Sequence, residues 1–152
     1  MKYIKTYRGF TLIELLVVIT IIGILIGLSV FGMAGARESS RDARRKADLE
    51  LIRSGLELYR SDCGVYPNAT WTTNWPTQIK GSTNPPALPP SSCAPANVYV
   101  NVPSDPISPS RNYSYSSNGT TYELCASLEQ GSGTANCSAS CTATCNWKVT
   151  NP

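Results

Sequence analysis

The sequence predicts an α+β protein in which a long N-terminal α-helix packs against a small antiparallel β-sheet head with a long Pro-rich loop and disulfides. Three observations predict this fold class. An uninterrupted apolar run covers residues 10–31, an amphipathic helical pattern occupies residues 32–61, and two alternating segments flank the dipeptide Asn118-Gly119. All eleven prolines lie at or beyond Pro67, which leaves the first part of the chain free to form one helix.

The apolar run, Phe10 to Phe31, has the length of a membrane-spanning helix. Its 22 residues would extend about 33 Å as a helix, close to the thickness of a bilayer's hydrocarbon core. Glu14 is its only charged residue and, because such a charge is costly in a membrane, a candidate functional residue. The residues leave two roles open, a charge that pairs inside an apolar bundle or a carboxylate near lipid headgroups that the helix dipole favours. Gly23 and Gly27 form a Gly-x3-Gly pair that permits close helix packing.

The second half of the helix, residues 32–61, carries an apolar stripe at spacings of three and four, which we expect to face a sheet. Ala36, Ala43 and Ala47 extend that side toward the N-terminus. Its many charges are expected to form a solvated face supported by i,i+4 ion pairs. The stripe is Leu49, Ile52, Leu56 and Tyr59, and the pairs are Asp42–Lys46, Arg44–Asp48, Lys46–Glu50 and Arg53–Glu57.

The net charge of +3 comes entirely from Lys2, Lys5 and Arg8. From Phe10 onward the chain carries ten cationic and ten anionic side chains. A nucleic-acid partner is compatible with this sequence but is not indicated by its charge.

Six cysteines follow the apolar run, and the chain has no histidine. An even number of cysteines in a small domain beyond a membrane segment indicates disulfides in an oxidising compartment. The alternative is a zinc site built from the Cys-x3-Cys-x3-Cys run and one further cysteine, although the usual Cys-x2-Cys spacing is missing. We expect Cys63 to pair with Cys93, and the sequence leaves the pairing of the others open: Cys125, Cys137, Cys141 and Cys145.

The head is predicted to cover residues 62–152. Gly64 ends the helix as a C-terminal cap, and a Pro-rich connection over residues 64–111 follows. Within it, residues 98–102 alternate as a short strand would, and one turn of helix is the alternative. Residues 130–152 form a Cys-rich tail that closes with a last strand at 146–150, whose Trp147 and Val149 point inward.

Between these segments, residues 112–129 predict a β-hairpin around Asn118-Gly119, the favoured two-residue turn. That turn places Ser117 opposite Thr120 and Tyr115 opposite Tyr122. The register puts six side chains on one face, which we expect to pack against the helix stripe. They are Tyr113, Tyr115, Tyr122, Leu124, Ala126 and Leu128.

The stretch Arg8-Gly9-Phe10-Thr11-Leu12-Ile13-Glu14, followed by the apolar run, resembles the processing motif of type IV pilins and type II secretion pseudopilins. The resemblance implies that residues 1–9 are a leader, that prepilin peptidase cuts between Gly9 and Phe10, and that Phe10 becomes N-methylated. It also implies that Glu14 pairs with the α-amino group of Phe10 on a neighbouring subunit. Residues 102–106, Val-Pro-Ser-Asp-Pro, resemble the Leu-Pro-x-Asp-Pro stretch of major pseudopilins.

The function that the resemblance implies is a structural subunit of a type IV pilus-like filament. Its partners would be other copies of itself, prepilin peptidase, an inner-membrane assembly platform with its ATPase, and the membrane before assembly. The precursor would be a single-pass cytoplasmic-membrane protein with its head outside, and the product an extracellular or cell-surface filament. The alternatives are a pseudopilin of a type II secretion system or a low-copy tip pilin that adheres or captures DNA through Trp71, Trp75 and Tyr99.

Catalysis is not expected, because the chain lacks histidine and therefore a Ser/His or Cys/His dyad. Glu123 and Glu129 are expected on an outward, solvated face rather than as an acid/base pair. Major pseudopilins can bind calcium, but Asp105 is the only aspartate beyond Asp62 here. We therefore predict no metal, no cofactor and no small-molecule substrate.

Overall fold

The computed structural model describes residues 9–82 and 93–152. Residues 1–8, which belong to the predicted leader 1–9, and residues 83–92, in the middle of the predicted Pro-rich connection, lie outside the described residues. The described chain contains one long helix and six short strands. These are α1 (Leu12–Cys63), β1 (Thr70–Trp71), β2 (Gln78–Lys80), β3 (Val98–Asn101), β4 (Ser114–Ser117), β5 (Tyr122–Ala126) and β6 (Trp147–Thr150). The predicted α+β class is confirmed.

The strands form two antiparallel sheets, one of four strands in the order β1-β4-β5-β6 and one that pairs β2 with β3. The chain divides into two compact units, Met1–Arg37 and Glu38–Pro152, and both sheets belong to the second. β1 and β2 fall inside the connection where the sequence indicated a single strand. Strands of two or three residues are too short to show alternation, which explains why they were missed.

The core of the second unit forms where α1 meets the four-stranded sheet. Leu49, Ile52, Leu56 and Tyr59 are all buried, as the stripe predicted. The six side chains predicted for the inner face of the hairpin are buried as well. The alanines predicted to extend the stripe are instead exposed, because the buried side of α1 continues through Arg45 and Asp42.

The predicted register of the hairpin is wrong by two residues. Tyr115 lies opposite Leu124 and Ser117 opposite Tyr122, so residues 118–121 form a four-residue loop. The side chain of Asn118 explains the longer loop, since its Oδ1 accepts hydrogen bonds from the backbone N–H groups of Thr120 and Thr121 at 2.9 and 2.8 Å. A shift of two residues keeps every side chain on its face, and for this reason the predicted inner face survives.

The C-terminal tail covers the outer face of the sheet. Disulfides join Cys63 to Cys93, the pair that the sequence favoured, and also Cys125 to Cys137 and Cys141 to Cys145. Three buried cysteines of the two C-terminal disulfides form a second small cluster outside the main core. They are Cys125, Cys141 and Cys145. Cys145 therefore packs in this outer cluster and not in the main core.

The last strand is only partly as predicted. Val149 points inward and is buried, whereas Trp147 is 37% exposed. The ammonium group of Lys46 lies 4.6 Å from the centre of the Trp147 ring, a cation–π contact at the surface. The prediction that Trp147 points inward is therefore wrong, because its ring covers the side of the helix instead of entering the core.

Gly55 brings α1 close to the two-stranded sheet. A Cβ atom at this position would lie 2.5 Å from the Cβ of Val100. We expect Gly55→Ala to lower the free energy of unfolding by about 1–3 kcal/mol, because overpacking outweighs the gain of about 1 kcal/mol in helix propensity. Thermal unfolding of the full-length chain in detergent measures this. The control Ser54→Ala, at an exposed neighbouring position, should change the free energy of unfolding little. Equal stability of the two variants would contradict the packing argument.

Candidate functional site

The first candidate site is the start of α1. Gly9 and Phe10 precede the helix, Phe10 is 88% exposed, and α1 begins at Leu12. Glu14 Oε2 accepts hydrogen bonds from the backbone N–H of Thr11 at 2.9 Å and from its hydroxyl at 2.7 Å. In return, Thr11 Oγ1 accepts a hydrogen bond from the backbone N–H of Glu14 at 3.3 Å. This reciprocal arrangement is a capping box, and it holds the carboxylate beside the first turn.

Sequence reasoning missed the role of Thr11. The signal was present, because Thr-x-x-Glu before an apolar run is the sequence pattern of a capping box. Glu14 Oε1 receives no hydrogen bond within the part of the chain that the structure describes. The carboxylate therefore has one oxygen that caps its own helix and a second that can accept a further donor.

The helix that follows Glu14 exposes apolar side chains on every side. It is long and apolar enough to cross a membrane by length and composition. Its two hydroxyl groups are satisfied internally, since Thr20 donates to Val17 O at 2.7 Å and Ser29 to Leu25 O at 2.8 Å. Gly23 and Gly27 have open space beside them. Such a surface suits lipid or other helices, because water would be in contact with a large apolar area.

A second cluster of charges lies on α1 in the head. Arg45 is completely buried and its guanidinium binds three carboxylates from three parts of the chain. Its Nε and Nη2 donate to Asp105 at 2.8 and 3.2 Å, while Nη1 donates to Asp42 at 2.6 Å and to Glu129 at 2.9 Å. Arg41 binds Glu129 from the more exposed side, with an Nε to Oε1 distance of 2.7 Å. We call these five residues the Arg45 cluster.

Backbone groups complete the Arg45 cluster. Asp42 accepts hydrogen bonds from the N–H groups of Glu129 and Gln130, both at 2.8 Å, and Asp105 accepts one from Ile107 at 2.9 Å. The expectation that Glu129 is solvated is therefore wrong. Glu123 is likewise engaged, by Lys148 at 2.5 Å and by Ser138. Neither carboxylate is arranged as an acid/base pair, since each is held by a cation.

Two carboxylates of the helix in the head, Asp48 and Glu57, contact tyrosines that belong to or adjoin the sheet. Of the predicted i,i+4 pairs, the described residues show only Arg44–Asp48, at 3.9 Å. Asp48 also accepts the hydroxyl of Tyr113 at 2.7 Å, and Glu57 accepts that of Tyr122 at 3.1 Å. The prediction that the helix charges form a solvated face supported by i,i+4 ion pairs is thus only partly correct. Helical spacing could have revealed Arg45, because it lies four residues before Leu49 on the buried stripe.

The aromatic residues proposed for a tip function pack on the core. Trp71 stacks on Tyr115 with a ring separation of 4.6 Å, and Trp75 Nε1 donates to the carbonyl of Tyr113 at 2.9 Å. Tyr99 makes an edge contact with Tyr59 at 5.3 Å. All three are half-buried. Their aromatic surfaces serve internal packing, which leaves less of them for an external ligand.

Electrostatics in the Arg45 cluster favour its charged form. The hydrogen bond from Arg41 is the main reason why the pKa of Glu129 falls to about 2. Burial alone would raise the pKa of Asp42, but the N–H groups of Gln130 and Glu129, together with Arg45, lower it. Lys148 is likewise the main cause that lowers the pKa of Glu123 to about 2. All three groups therefore stabilise the fold in their ionised state.

The N-terminal segment first identifies a class of protein. The family described as the prokaryotic N-terminal methylation motif matches residues 4–30. This match contains Gly9, Phe10, the capping box and most of the apolar helix.

Relatives then narrow the class. The chain is 34% identical over 90 residues to type II secretion system core protein G of Escherichia coli (strain K12), which covers 59% of this chain and 58% of the relative. It is 34% identical over 67 residues to the protein of the same name from Vibrio cholerae serotype O1, with 44% and 46% covered. It is 38% identical over 61 residues to that of Pectobacterium carotovorum subsp. carotovorum, a match that covers 40% of this chain and 39% of the relative.

The chain spans about half the length of these relatives. No solved structure matches it. The motif and the relatives support the type IV pilin and pseudopilin family that the sequence predicts.

Removal of the Arg45 guanidinium should destabilise the head strongly. Arg45→Met would leave Asp42, Asp105 and Glu129 as adjacent carboxylates without their shared cation. We expect a loss of about 3–5 kcal/mol in the free energy of unfolding. Chemical denaturation of the full-length chain in detergent measures it. Arg44→Met is the matched control, because the Arg44 side chain is 64% exposed; comparable losses in both variants would refute a special role for Arg45.

Stability should fall in acid over a defined range. The folded-state pKa values of Glu123 and Glu129, about 2, lie below the ordinary value of 4.5. Their contribution is therefore complete above about pH 5 and is lost as the pH falls toward 2, when the folded-state carboxylates become protonated. The melting temperature measured from pH 7 to 2 should follow this fall. Glu129→Gln should flatten the curve, whereas Glu50→Gln, at a carboxylate that is 58% exposed, should leave it unchanged.

Proposed function

We propose that this chain is a structural subunit of a type IV pilus-like filament. The observation that carries the proposal is the start of α1, where a processing motif, a capped glutamate and an exposed apolar helix occur together. Prepilin peptidase would cut between Gly9 and Phe10 and N-methylate Phe10. The apolar helix would anchor the precursor in the cytoplasmic membrane, with the head outside. Residues 1–9 would be removed as the leader, residues 10–31 would serve as anchor and then as assembly segment, and residues 32–61 would support the head at 62–152.

Assembly would replace lipid by other copies of the same helix. Cleavage creates an α-amino group at Phe10, and two opposite charges in an apolar bundle attract each other far more strongly than in water. Glu14 Oε1 is the oxygen available for that amine. Pairing of each Glu14 with the next copy's Phe10 sets an axial offset of four residues, about 6 Å at 1.5 Å per residue.

A second candidate is a pseudopilin of a type II secretion system. The observation that favours it is the name shared by the relatives, type II secretion system core protein G. Both candidates use the same processing, anchoring and helix packing, and an inner-membrane assembly platform with its ATPase would act in either case. They differ in the product, a surface filament in one case and a filament that serves secretion in the other. The tip-pilin alternative has weaker support, since its aromatic residues are engaged in packing.

Assembly should depend on the charge of Glu14. In the full-length chain expressed in its host, we expect Glu14→Ala to be processed normally but to yield at least tenfold fewer sheared filaments, because the partner of the Phe10 amine is lost. Mass spectrometry of the N-terminus measures processing, and immunoblots of the sheared fraction measure assembly. Glu38→Ala, on the same helix in the head, is the control.

The outcomes separate the two candidates and can refute both. Filaments in which this chain is the bulk component support the pilus. Loss of an exported protein on deletion, without sheared filaments at native expression, supports the pseudopilin. Normal filament yield from Glu14→Ala would contradict the pairing, and an uncleaved chain that retains residues 1–9 would contradict the proposal as a whole.

A further inference from the structure

The side of α1 that faces away from the head core carries no charged residue from residue 40 to residue 61. Twelve of the 25 residues from 38 to 62 are charged, so charges are abundant on this part of the helix. At 100° per residue, seven uncharged positions nevertheless fall within an arc of about 80°. We call these positions the uncharged face, and all of them are exposed. They are Ser40, Ala43, Ala47, Leu51, Ser54, Leu58 and Ser61.

Two leucines dominate the uncharged face. Leu51 is 50% exposed and Leu58 is 59% exposed, although both belong to a helix whose other side supplies the core. Between them, Ser54 donates its hydroxyl to the carbonyl of Leu51 at 2.8 Å. Thr20 and Ser29 satisfy their hydroxyls in the same way in the apolar segment. A partner can therefore cover Ser54 without leaving an unpaired hydroxyl donor.

The charges beside the uncharged face are complementary. Arg44 borders it on one side and Glu50 on the other, about 60° from its centre line in each case. Both side chains are largely exposed, and their ion pairs within the chain are long, 3.9 Å to Asp48 and 3.5 Å to Arg53. If identical helices lie side by side, the Glu50 edge of one copy meets the Arg44 edge of the next. The two residues differ by six positions, or about 9 Å along the helix, in the same direction as the offset of about 6 Å set by Glu14 and Phe10.

We propose that the uncharged face is an interface between copies, in which Leu51 and Leu58 pack against the helix of a second copy and Glu50 of one copy pairs with Arg44 of the next. The inference rests on the proposed function and identifies a contact surface within the head. A second copy is the occupant that these observations favour, because the apolar segment belongs to the same helix and the bordering charges complement each other.

Substitution of the leucines tests the surface. Leu51→Glu and Leu58→Glu, each in the full-length chain in its host, should lower the yield of sheared filaments at least tenfold. Processing and the melting temperature of the purified chain should stay unchanged, because both side chains are exposed. Ser110→Glu, at an exposed position elsewhere in the head, is the control. Wild-type filament yield from both leucine variants would overturn the inference, whereas absence of filaments from the wild-type chain would overturn the proposed function.

A charge exchange tests the pairing. Arg44→Glu and Glu50→Arg should each reduce filament yield, and the double variant should restore at least half of the wild-type amount, because the pair is re-formed with reversed charges. A double variant no better than either single variant would overturn the pairing. A photo-reactive amino acid at position 58 then identifies the occupant. Cross-links to a second copy support the inference, and cross-links only to lipid or to a different protein overturn it.

Discussion

The buried guanidinium of Arg45 is the interaction on which the arrangement of the head depends. It joins α1 to the connection through Asp105 and to the end of the hairpin through Glu129. A buried charge is costly unless its partners and hydrogen bonds are complete, and a partly satisfied cluster would destabilise the head. The cluster is complete, because no buried side-chain nitrogen or oxygen atom of the described residues lacks a hydrogen-bond partner. One guanidinium thereby ties the helix, the connection and the end of the hairpin together.

The two units of the chain differ in where their apolar side chains lie, buried in a core in one unit and exposed in the other. The head buries its apolar stripe and pairs many of its charges internally. The segment from Leu12 onward has no core of its own and exposes nearly all of its side chains. Its two hydroxyl groups are satisfied within the helix, so they can pass from lipid to other apolar helices without cost in hydrogen bonds. This division fits a protein whose head stays folded while its N-terminal helix changes environment.

The sequence was informative where a pattern is periodic and local. The stripe from Leu49 to Tyr59 and the inner face of the hairpin could be predicted because burial follows the 3.6 and 2.0 residue periods. Residue type alone could not assign Arg45 to the core, because charged side chains are usually exposed and two of its partners, Asp105 and Glu129, lie far away in sequence. The hairpin register depended on one side chain, that of Asn118, which outweighed the two-residue turn preference. The tail had no apolar period at all, since its disulfides replace a hydrophobic pattern.

The capping box changes how Glu14 can serve assembly. If the carboxylate projected freely, pairing with an amine would first require its long side chain to be ordered, at a cost in conformational entropy. Thr11 has already ordered the Glu14 side chain, because its N–H and hydroxyl groups donate two hydrogen bonds to Oε2 and hold the carboxylate against the first turn. Pairing through Oε1 then leaves the cap intact. The start of the helix and the offset between copies can therefore depend on the same carboxylate, with a different oxygen for each task.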